Sequence, residues 1–235
     1  MKSPKLFIFV LSLLAGSYSM ASGSGSLRHA DIDSHDQASL QNGVRVYVNY
    51  CQGCHSLQYL RYSRMAEDLG LTKNEVQTNL NFINAKFSGH ISSNMPAKDS
   101  SSWFGKTPPD LSLVGRSRGK DWLYTYLTGF YKDDSKLTGT NNVAFKDVGM
   151  PHVLAGLQGL QTISADGHLE YHEGNGTMTK GEYDKTVLDL VNFLVYASEP
   201  IKNTRTSLGI YVILFLLLMF IVSYMLKKEF WKDIH

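Results

Sequence analysis

The stretch VYVNYCQGCHSLQYL, residues 46–60, decides how this chain is interpreted. It contains both cysteines of the 235-residue sequence, Cys51 and Cys54, and His55 directly follows the second one. Cys-x-x-Cys-His is the attachment signature of a c-type haem. In such a site both thiols add to the haem vinyl groups, and the histidine is held against one face of the porphyrin, where it binds iron.

Three other sites use similar residues. A structural zinc site needs four ligands, but four histidines that could complete it, His90, His152, His168 and His172, are spread along the chain without a paired spacing. A thioredoxin-like thiol pair expects a βαβ pattern around it, and the sequence has none. A disulfide suits an exported domain but gives His55 no role. The motif therefore predicts one haem c, bound through two thioethers, with His55 as an iron ligand.

The N-terminal residues predict a secretory signal peptide. Two lysines precede an apolar run at residues 6–15, and small residues follow at Ser19 and Ala21. The run is too short for a bilayer core of roughly 30 Å, which argues against an uncleaved anchor. We therefore expect a signal peptide at residues 1–21 and a polar, flexible N-terminal arm at residues 22–38.

The C-terminal end predicts a membrane anchor. Residues 208–226 carry no charge, and at about 1.5 Å per residue they reach roughly 28 Å, enough for one transmembrane helix. Together with the signal peptide, this anchor predicts a single-pass protein of the inner (cytoplasmic) membrane. Its haem domain, residues 39–205, would lie in the periplasm, and residues 227–235 would form a short cytoplasmic tail.

Helical periodicity is clearest at the two ends of the exported domain. Leu40, Val44 and Tyr47 recur at a spacing of three to four and predict a helix that runs into Cys51. A second helix, stopped by Pro200, has one apolar face. That face carries Val187, Leu190, Val191, Leu194 and Ala197. We expect these two helices to pack across each other.

The middle of the domain is rich in loops. Residues 121–131, DWLYTYLTGFY, predict a short helix with Asp121 as its N-cap. Residues 166–176, DGHLEYHEGNG, predict a small hairpin between two turns, and residues 65–105 show no clear element. The predicted fold is mainly α: a cytochrome c-like haem domain with long loops and a small hairpin, plus one C-terminal transmembrane helix. The net charge of +2 does not favour a nucleic-acid partner.

The motif does not identify the second axial ligand of the iron. A methionine thioether would raise the potential and suit electron transfer rather than oxygen chemistry. A second histidine, His152, is an alternative. The candidate methionines are Met65, Met95, Met150 and Met178. Sequence spacing alone leaves both Met150 and Met178 open.

Four segments carry a specific resemblance. VRVYVNYCQGCHSLQYLRY (44–62), PPDLSLVGRSRGKDWLYTYLTGF (108–130), VGMPHVL (148–154) and GTMTKGEYDKTVLDLVNFLVYASEP (176–200) occur in this order before the anchor. The ordered set resembles the cytochrome c1 family of bacterial type, the c-type haem subunits of the cytochrome bc1 complex (quinol–cytochrome c reductase). Residues 65–105 show little similarity to that family, and no acidic cluster identifies a docking face.

The resemblance implies roles for individual residues. It implies Met178 as the methionine ligand opposite His55, with Met150 as a wall residue of the haem pocket. Arg118 matches an arginine near a haem propionate, and Trp122 matches an aromatic residue close to the haem. Pro108 and Pro109 fall where a loop packs on the histidine side, and a carbonyl there could hold His55 through its other ring nitrogen.

The resemblance also implies a function. The chain would be a membrane-anchored one-electron carrier of the respiratory chain that accepts an electron from the Rieske iron–sulfur protein and passes it to a cytochrome c. Its partner subunits would be cytochrome b and the Rieske protein. It would be a redox subunit with no catalytic residue of its own. The alternatives are an anchored haem protein with an open sixth site and a haem-free module with a Cys51–Cys54 disulfide.

Overall fold

The computed structural model describes residues 27–233, so the predicted signal peptide at residues 1–21 lies outside the described residues. Helices dominate, as predicted. They are α1 (Gln37–Tyr50), α2 (Tyr62–Asp68), α3 (Lys73–Asn79), α4 (Ala97–Phe104), α5 (Val114–Ser117), α6 (Lys120–Thr128), α7 (Ala155–Gln158), α8 (Lys180–Ser198) and α9 (Lys202–Phe230). The strands are β1 (Leu57–Arg61), β2 (His90–Ile91), β3 (Phe130–Lys132), β4 (Thr140–Asn142), β5 (Thr162–Ile163) and β6 (Leu169–Glu170).

The frame of the domain is the crossing of α1 and α8, which confirms the predicted packing. The Tyr47 and Phe193 rings meet there with centroids 5.7 Å apart. The two backbones approach so closely at Gly43 that a Cβ atom on this residue would lie 2.1 Å from the Asp189 carbonyl oxygen. A side chain as small as alanine is therefore too large at this point of the crossing.

Three small antiparallel sheets lie around this frame: β1–β2, β3–β4 and β5–β6. The last is a hairpin that differs in position from the predicted one: only β6 lies within residues 166–176, and its partner β5 precedes them, with Thr162 opposite Glu170 and Ile163 opposite Leu169. Residues 65–105, where the sequence predicts no element, contain short helices and one half of the β1–β2 pair. A capping box at Thr72 and Glu75 begins α3. These elements are too short for a periodic pattern to reveal them.

The N-terminal segment departs from the predicted flexible arm. From residue 28 onward it lies along α6 and α8, where the Arg28 backbone N–H donates to Thr125 Oγ1 (2.8 Å). The Ala30 backbone N–H donates to Asp121 Oδ1 (2.8 Å), so the Asp121 carboxylate binds this segment instead of capping its helix. Gly119, with a φ of 84°, is the residue that precedes α6. The predicted N-cap is therefore wrong, although the helix itself is confirmed.

Helix α9 is the one helix within residues 27–233 that is long and apolar enough to cross a membrane. None of its residues is buried against the rest of the chain. At about 1.5 Å per residue its 29 residues extend roughly 43 Å, so it contains the predicted span at 208–226 and continues beyond it at both ends. At its base Glu199 accepts a hydrogen bond from Arg205 Nε (2.7 Å), which links the anchor to the end of α8.

Candidate haem site

A cavity of about 350 Å³ lies beside the C-terminal end of α1. Its lining is mostly apolar and comes from α5, α6, α8 and the loops around them. The apolar residues include Leu111, Val114, Leu123, Leu127, Val148, Val153, Leu190 and Leu194. An apolar cavity of this kind suits a large flat cofactor that is held by a few well-placed polar groups.

The two cysteines lie on the wall of this cavity. Helix α1 ends at Tyr50, and the chain then turns tightly, with the Cys54 and His55 N–H groups both donating to the Cys51 carbonyl (3.0 and 2.8 Å). Both thiols are free, so the disulfide alternative is not realised. Burial raises the pKa of Cys51 to about 12, and the neighbouring Cys54 adds to this effect, so that Cys51 is a neutral thiol at physiological pH.

His55 is oriented by its ring nitrogen Nδ1, which donates to the Pro109 carbonyl oxygen (2.7 Å). This is the carbonyl contact predicted for the Pro-Pro loop. It leaves Nε2 as the nitrogen available to a metal. Burial lowers the pKa of His55 more than the Pro109 carbonyl and Asp110 raise it, which favours the neutral imidazole that metals bind. The Tyr47 hydroxyl donates to the His55 carbonyl oxygen (2.6 Å) and fixes its backbone.

The Pro-Pro loop is itself tied to the cysteine segment. The Leu111 N–H donates to the Ser56 carbonyl oxygen (2.8 Å), and the Gln58 N–H donates to Asp110 Oδ2 (3.0 Å). These bonds hold the carbonyl of Pro109 at a constant distance from the His55 ring. The segments at 44–62 and 108–130 are thus one structural unit, although about fifty residues separate them in the sequence.

Helix α6 contributes Trp122 and Tyr126 to the cavity lining, and Arg118, at the end of α5, lines it as well. The Arg118 guanidinium lies 5.0 Å from the centre of the Trp122 ring, and no acidic side chain of the described segment, 27–233, pairs with it. The Trp122 and Tyr126 rings stack at 4.9 Å and 13°. The sequence analysis missed Tyr126, although it lies four residues after Trp122 and so on the same helical face.

The structure separates the two methionine candidates. Met150 lines the cavity, and its sulfur accepts a hydrogen bond from the Tyr126 hydroxyl (3.3 Å). Met178 does not line it. The Met178 sulfur lies 3.6 Å from Thr186 Oγ1, and its backbone N–H donates to the Leu157 carbonyl oxygen (3.1 Å). Met150 and His55 thus line the same cavity, while Met178 packs against the core directly before α8.

The remaining ligand candidates lie elsewhere. Met65 is fully buried in the core around the α1–α8 crossing, and Met95 is not part of the cavity lining. His152 stacks on Phe130 with centroids 4.8 Å apart, and its Nε2 has no hydrogen-bond partner. Burial lowers the pKa of His152 to about 4. Although it follows Met150 by two residues, His152 does not line the cavity.

This set of donors fits a c-type haem. It offers two free thiols for covalent attachment, one oriented neutral imidazole, one thioether and one unpaired guanidinium around an apolar space. It does not fit a structural zinc site, because residues 27–233 contain no group of three or more His, Cys, Asp or Glu side chains that could hold a metal ion.

The comparisons with known proteins agree with this chemistry. The model of the "Cytochrome C1 family" matches residues 28–234. A cytochrome c1 of Allochromatium vinosum is 48% identical over 98% of this chain and 99% of its own length. A protein of Nitrosomonas europaea named "Ammonia monooxygenase gamma subunit" is 43% identical over 97% and 98%. The mitochondrial cytochrome c1 haem protein of Schizosaccharomyces pombe is 28% identical over 85% and 68%.

The family match covers the whole haem cavity and the membrane helix. It includes both cysteines, His55 and each candidate sixth ligand. With this coverage and 48% identity to a bacterial cytochrome c1, the chain belongs to the cytochrome c1 family, and its role is electron transfer through a c-type haem.

Proposed function

We propose that this protein is the membrane-anchored one-electron carrier of a bacterial cytochrome bc1 complex. It takes one electron from the Rieske iron–sulfur protein and passes it to a cytochrome c of the respiratory chain. The observation that carries this proposal is the convergence of Cys51, Cys54, His55 and Met150 on one apolar cavity. A chain of the cytochrome c1 family with this donor set is equipped to hold one redox cofactor.

Cys51 and Cys54 would attach the cofactor. Each S–H would add across one haem vinyl group to form a thioether, with its hydrogen going to the neighbouring carbon and no leaving group. Both thiols lie on the cavity wall in the tight turn after α1. Attachment through two cysteines that are separated by two residues would hold the haem in a fixed orientation relative to His55. One c-type haem per chain is all that this cysteine count permits.

His55 Nε2 and the Met178 sulfur would be the two protein ligands of the iron. When bound, the haem supplies a one-electron couple, whose potential depends on these ligands. The proposal of Met178 rests on its position in the GTMT segment directly before α8, as the family resemblance implies, and Met150 would be a wall residue of the cavity that His55 also lines. A neutral thioether and a neutral imidazole leave no proton to be exchanged when the electron arrives or leaves.

Arg118 would bind a haem propionate. Its guanidinium is exposed on the rim of the cavity, has no acidic partner in the described part of the chain, and rests on the Trp122 ring. A guanidinium can bind a carboxylate through two parallel hydrogen bonds. Trp122 would then hold Arg118 in place and close the apolar side of the cavity at the same time.

The proposed partners rest on the family, and the proposed orientation in the membrane rests on α9 and on the predicted signal peptide. Membership of a bc1 complex implies cytochrome b and the Rieske protein as partner subunits. Helix α9 would anchor the chain once in the inner membrane, with the haem domain in the periplasm and the C-terminal tail in the cytoplasm. In this arrangement the protein has no catalytic residue of its own, and quinol oxidation belongs to the whole complex.

A pair of matched variants tests the ligand assignment. Met150→Leu and Met178→Leu would each be made in the full-length protein and purified in mild detergent. We expect Met178→Leu to lose the absorption band of the Met–iron bond in the oxidised protein. Its potential should fall by roughly 0.1 V or more, since axial ligands move haem potentials over about 0.8 V. Met150→Leu should keep the band and have a potential close to that of the wild type.

Haem staining on a denaturing gel completes the test. Both methionine variants should keep the stain, and a Cys51→Ala, Cys54→Ala double variant should lose it. The converse result, in which Met150→Leu loses the band and Met178→Leu keeps it, would assign the ligand role to Met150. Prompt carbon monoxide binding by the reduced wild-type protein would instead favour a haem protein with an open sixth site.

A further inference from the structure

The rim of the haem cavity carries two positive charges. Among the described residues that line the cavity, Lys106 and Arg118 are the two with a permanent charge, and none is an aspartate or a glutamate. Both cationic side chains are exposed to solvent. A haem, by contrast, carries two propionate carboxylates. The proposed role of Arg118 accounts for one carboxylate, which leaves one cation and one carboxylate unassigned.

The Lys106 ammonium group forms no ion pair with any acidic side chain of residues 27–233. The carboxylate nearest to it in the sequence, Asp110, is already engaged by the backbone. Its Oδ2 atom accepts the Gln58 N–H (3.0 Å) and its Oδ1 atom accepts the Ser112 N–H (2.8 Å). Asp110 also does not line the cavity. The positive charge of Lys106 is therefore available to an anion in the cavity.

The backbone of Lys106 is held on both sides. Before it, Gly105 ends α4 in the left-handed conformation, with a φ of 71°, which favours glycine because a Cβ atom is strained there. After it, Thr107 Oγ1 donates to the Ala97 carbonyl oxygen (3.2 Å), and the ring of Pro108 restricts the chain that follows. The side chain of Lys106 thus extends from a defined point on the cavity rim.

The two cations come from different segments and have different chemistry. Arg118 ends α5, and its planar guanidinium rests on the Trp122 ring, an arrangement suited to a carboxylate bound through two parallel hydrogen bonds. Lys106 lies in the loop after α4, and its ammonium group is a compact charge with three donors on a flexible stem. Two cations on separate elements can hold two carboxylates at the same time.

We infer that Lys106 binds the second haem propionate, while Arg118 binds the first. This inference rests on the proposed function, because it requires a c-type haem in the cavity. The ammonium group donates hydrogen bonds to the carboxylate oxygens and offsets their negative charge, and no covalent bond forms. A positive charge near the haem stabilises the reduced state, in which the iron carries one positive charge fewer. Lys106 therefore raises the reduction potential of the site.

Lys106→Gln tests this inference in the full-length, haem-loaded protein, purified in mild detergent and measured at low ionic strength. We expect its reduction potential to fall, so that the equilibrium constant for reduction by a redox dye decreases roughly two- to fivefold, as for an ion pair at an exposed rim. The resonance Raman band of the propionate bending mode should also shift, because it reports on the carboxylate itself.

The chain offers a matched control. Lys98 is an exposed lysine on α4 that does not line the cavity, so Lys98→Gln removes the same charge from a nearby segment. We expect this variant to keep the wild-type potential and Raman band. Lys106→Arg, which retains the charge, should keep both close to the wild-type values. An equal fall in potential for Lys98→Gln and Lys106→Gln would show a general effect of surface charge and refute the inference.

A double variant tests whether the two cations bind separate carboxylates. The potential of Lys106→Gln, Arg118→Gln should fall by about the sum of the two single shifts, since independent sites add. A combined shift no larger than that of Arg118→Gln alone would refute a separate site for Lys106.

The outcomes also separate this inference from the proposed function. If the wild-type protein gives no haem stain on a denaturing gel, both fail together. If the stain is present but Lys106→Gln leaves the potential and the propionate band unchanged, the role of Lys106 is refuted and the haem assignment stands. A fall in potential and a shifted band in Lys106→Gln, with neither change in Lys98→Gln, support the inference.

Discussion

The two sides of the haem cavity are built in different ways. The cysteine wall, residues 51–55 with 108–111, is a network of short backbone and side-chain hydrogen bonds, among them His55 Nδ1 to the Pro109 carbonyl at 2.7 Å. The methionine wall, residues 145–153, contains turns and bends but no helix or strand. Met150 in this wall accepts a hydrogen bond from the hydroxyl of Tyr126, which lies on a neighbouring helix.

This difference matches two different demands of a c-type haem site. Covalent attachment requires two thiols and an imidazole in a fixed relative geometry before any cofactor is present, so this wall must be rigid on its own. The opposite wall would only cover the cofactor after attachment, so it can be looser and still become ordered on binding. The rigidity of the first wall comes from the α1–α8 crossing directly behind it.

Gly43→Ala is expected to have the largest effect, because it breaks the crossing that supports the cysteine wall. The new Cβ would lie 2.1 Å from the Asp189 carbonyl oxygen and 2.6 Å from Phe193 Cβ. Backbone atoms cannot move away as a flexible side chain can. We therefore expect the free energy of unfolding to fall by about 3 kcal/mol, the upper part of the range for overpacking. Thermal unfolding should show a fall of roughly 2–4 °C for each kcal/mol.

Gly181→Ala is the matched control for this prediction. Gly181 lies at the start of α8, and a Cβ there would contact nothing within 4 Å. Alanine is favoured over glycine in helices by about 0.8–1 kcal/mol, so this variant should be as stable as the wild type or slightly more so. Equal melting temperatures for Gly43→Ala and Gly181→Ala would show that the crossing is not a rigid support.

The difference between the two walls also explains which features of the site could be predicted from the sequence. The cysteine wall follows from a contiguous motif, and its supporting helices follow from a repeat of apolar residues, so these were recognisable without coordinates. The methionine wall depends on tertiary contacts. Two Met-containing loops have similar local sequence signals, and only the three-dimensional path of the chain shows that Met150 lines the same cavity as His55 while Met178 lies beside Leu157.

Asp121 illustrates the same limit on a smaller scale. An aspartate at the start of an apolar helical stretch is a good N-cap signal, and the helix is indeed present. The carboxylate instead accepts the Ala30 N–H from a segment about ninety residues earlier. No local pattern reports such a contact, and for the same reason the sequence did not predict that the N-terminal segment is attached to the domain.

Amide hydrogen exchange would sharpen the comparison between the two walls. In the cysteine wall the N–H groups of Cys51, Cys54 and His55 all have backbone acceptors at 2.8–3.0 Å. In the methionine wall, residues 148–150 have none among the described residues. We expect the methionine-wall amides to exchange at least about tenfold faster in the haem-loaded protein. Equal protection of the two peptides in mass spectrometry would contradict the difference in rigidity.

The smallest effect on stability is expected for a substitution at Asp184. Through Arg28 this residue connects α8, which lies behind the cysteine wall, with α6, which contacts the methionine wall. Arg28 donates to Asp184 on α8 (3.0 Å) and to the Tyr124 hydroxyl on α6 (3.0 Å), and α6 carries the tyrosine that contacts Met150. Burial pushes the pKa of Asp184 up, but hydrogen bonds from Arg28 and Lys180 outweigh it, and the pKa lies below its usual value.

Because the folded pKa of Asp184 is depressed, its stabilising contribution is fully present above the unfolded pKa of about 3.9 and is lost as the pH falls through the folded value. Asp184→Asn should therefore lower the melting temperature at pH 7 by an amount corresponding to about 0.2–1 kcal/mol, and the difference from wild type should shrink below pH 4. Asp134→Asn is the control, since that side chain is 79% exposed in its pair with Lys132. If the difference in melting temperature between the wild type and Asp184→Asn stays constant from pH 7 to pH 3, this carboxylate does not connect the two walls.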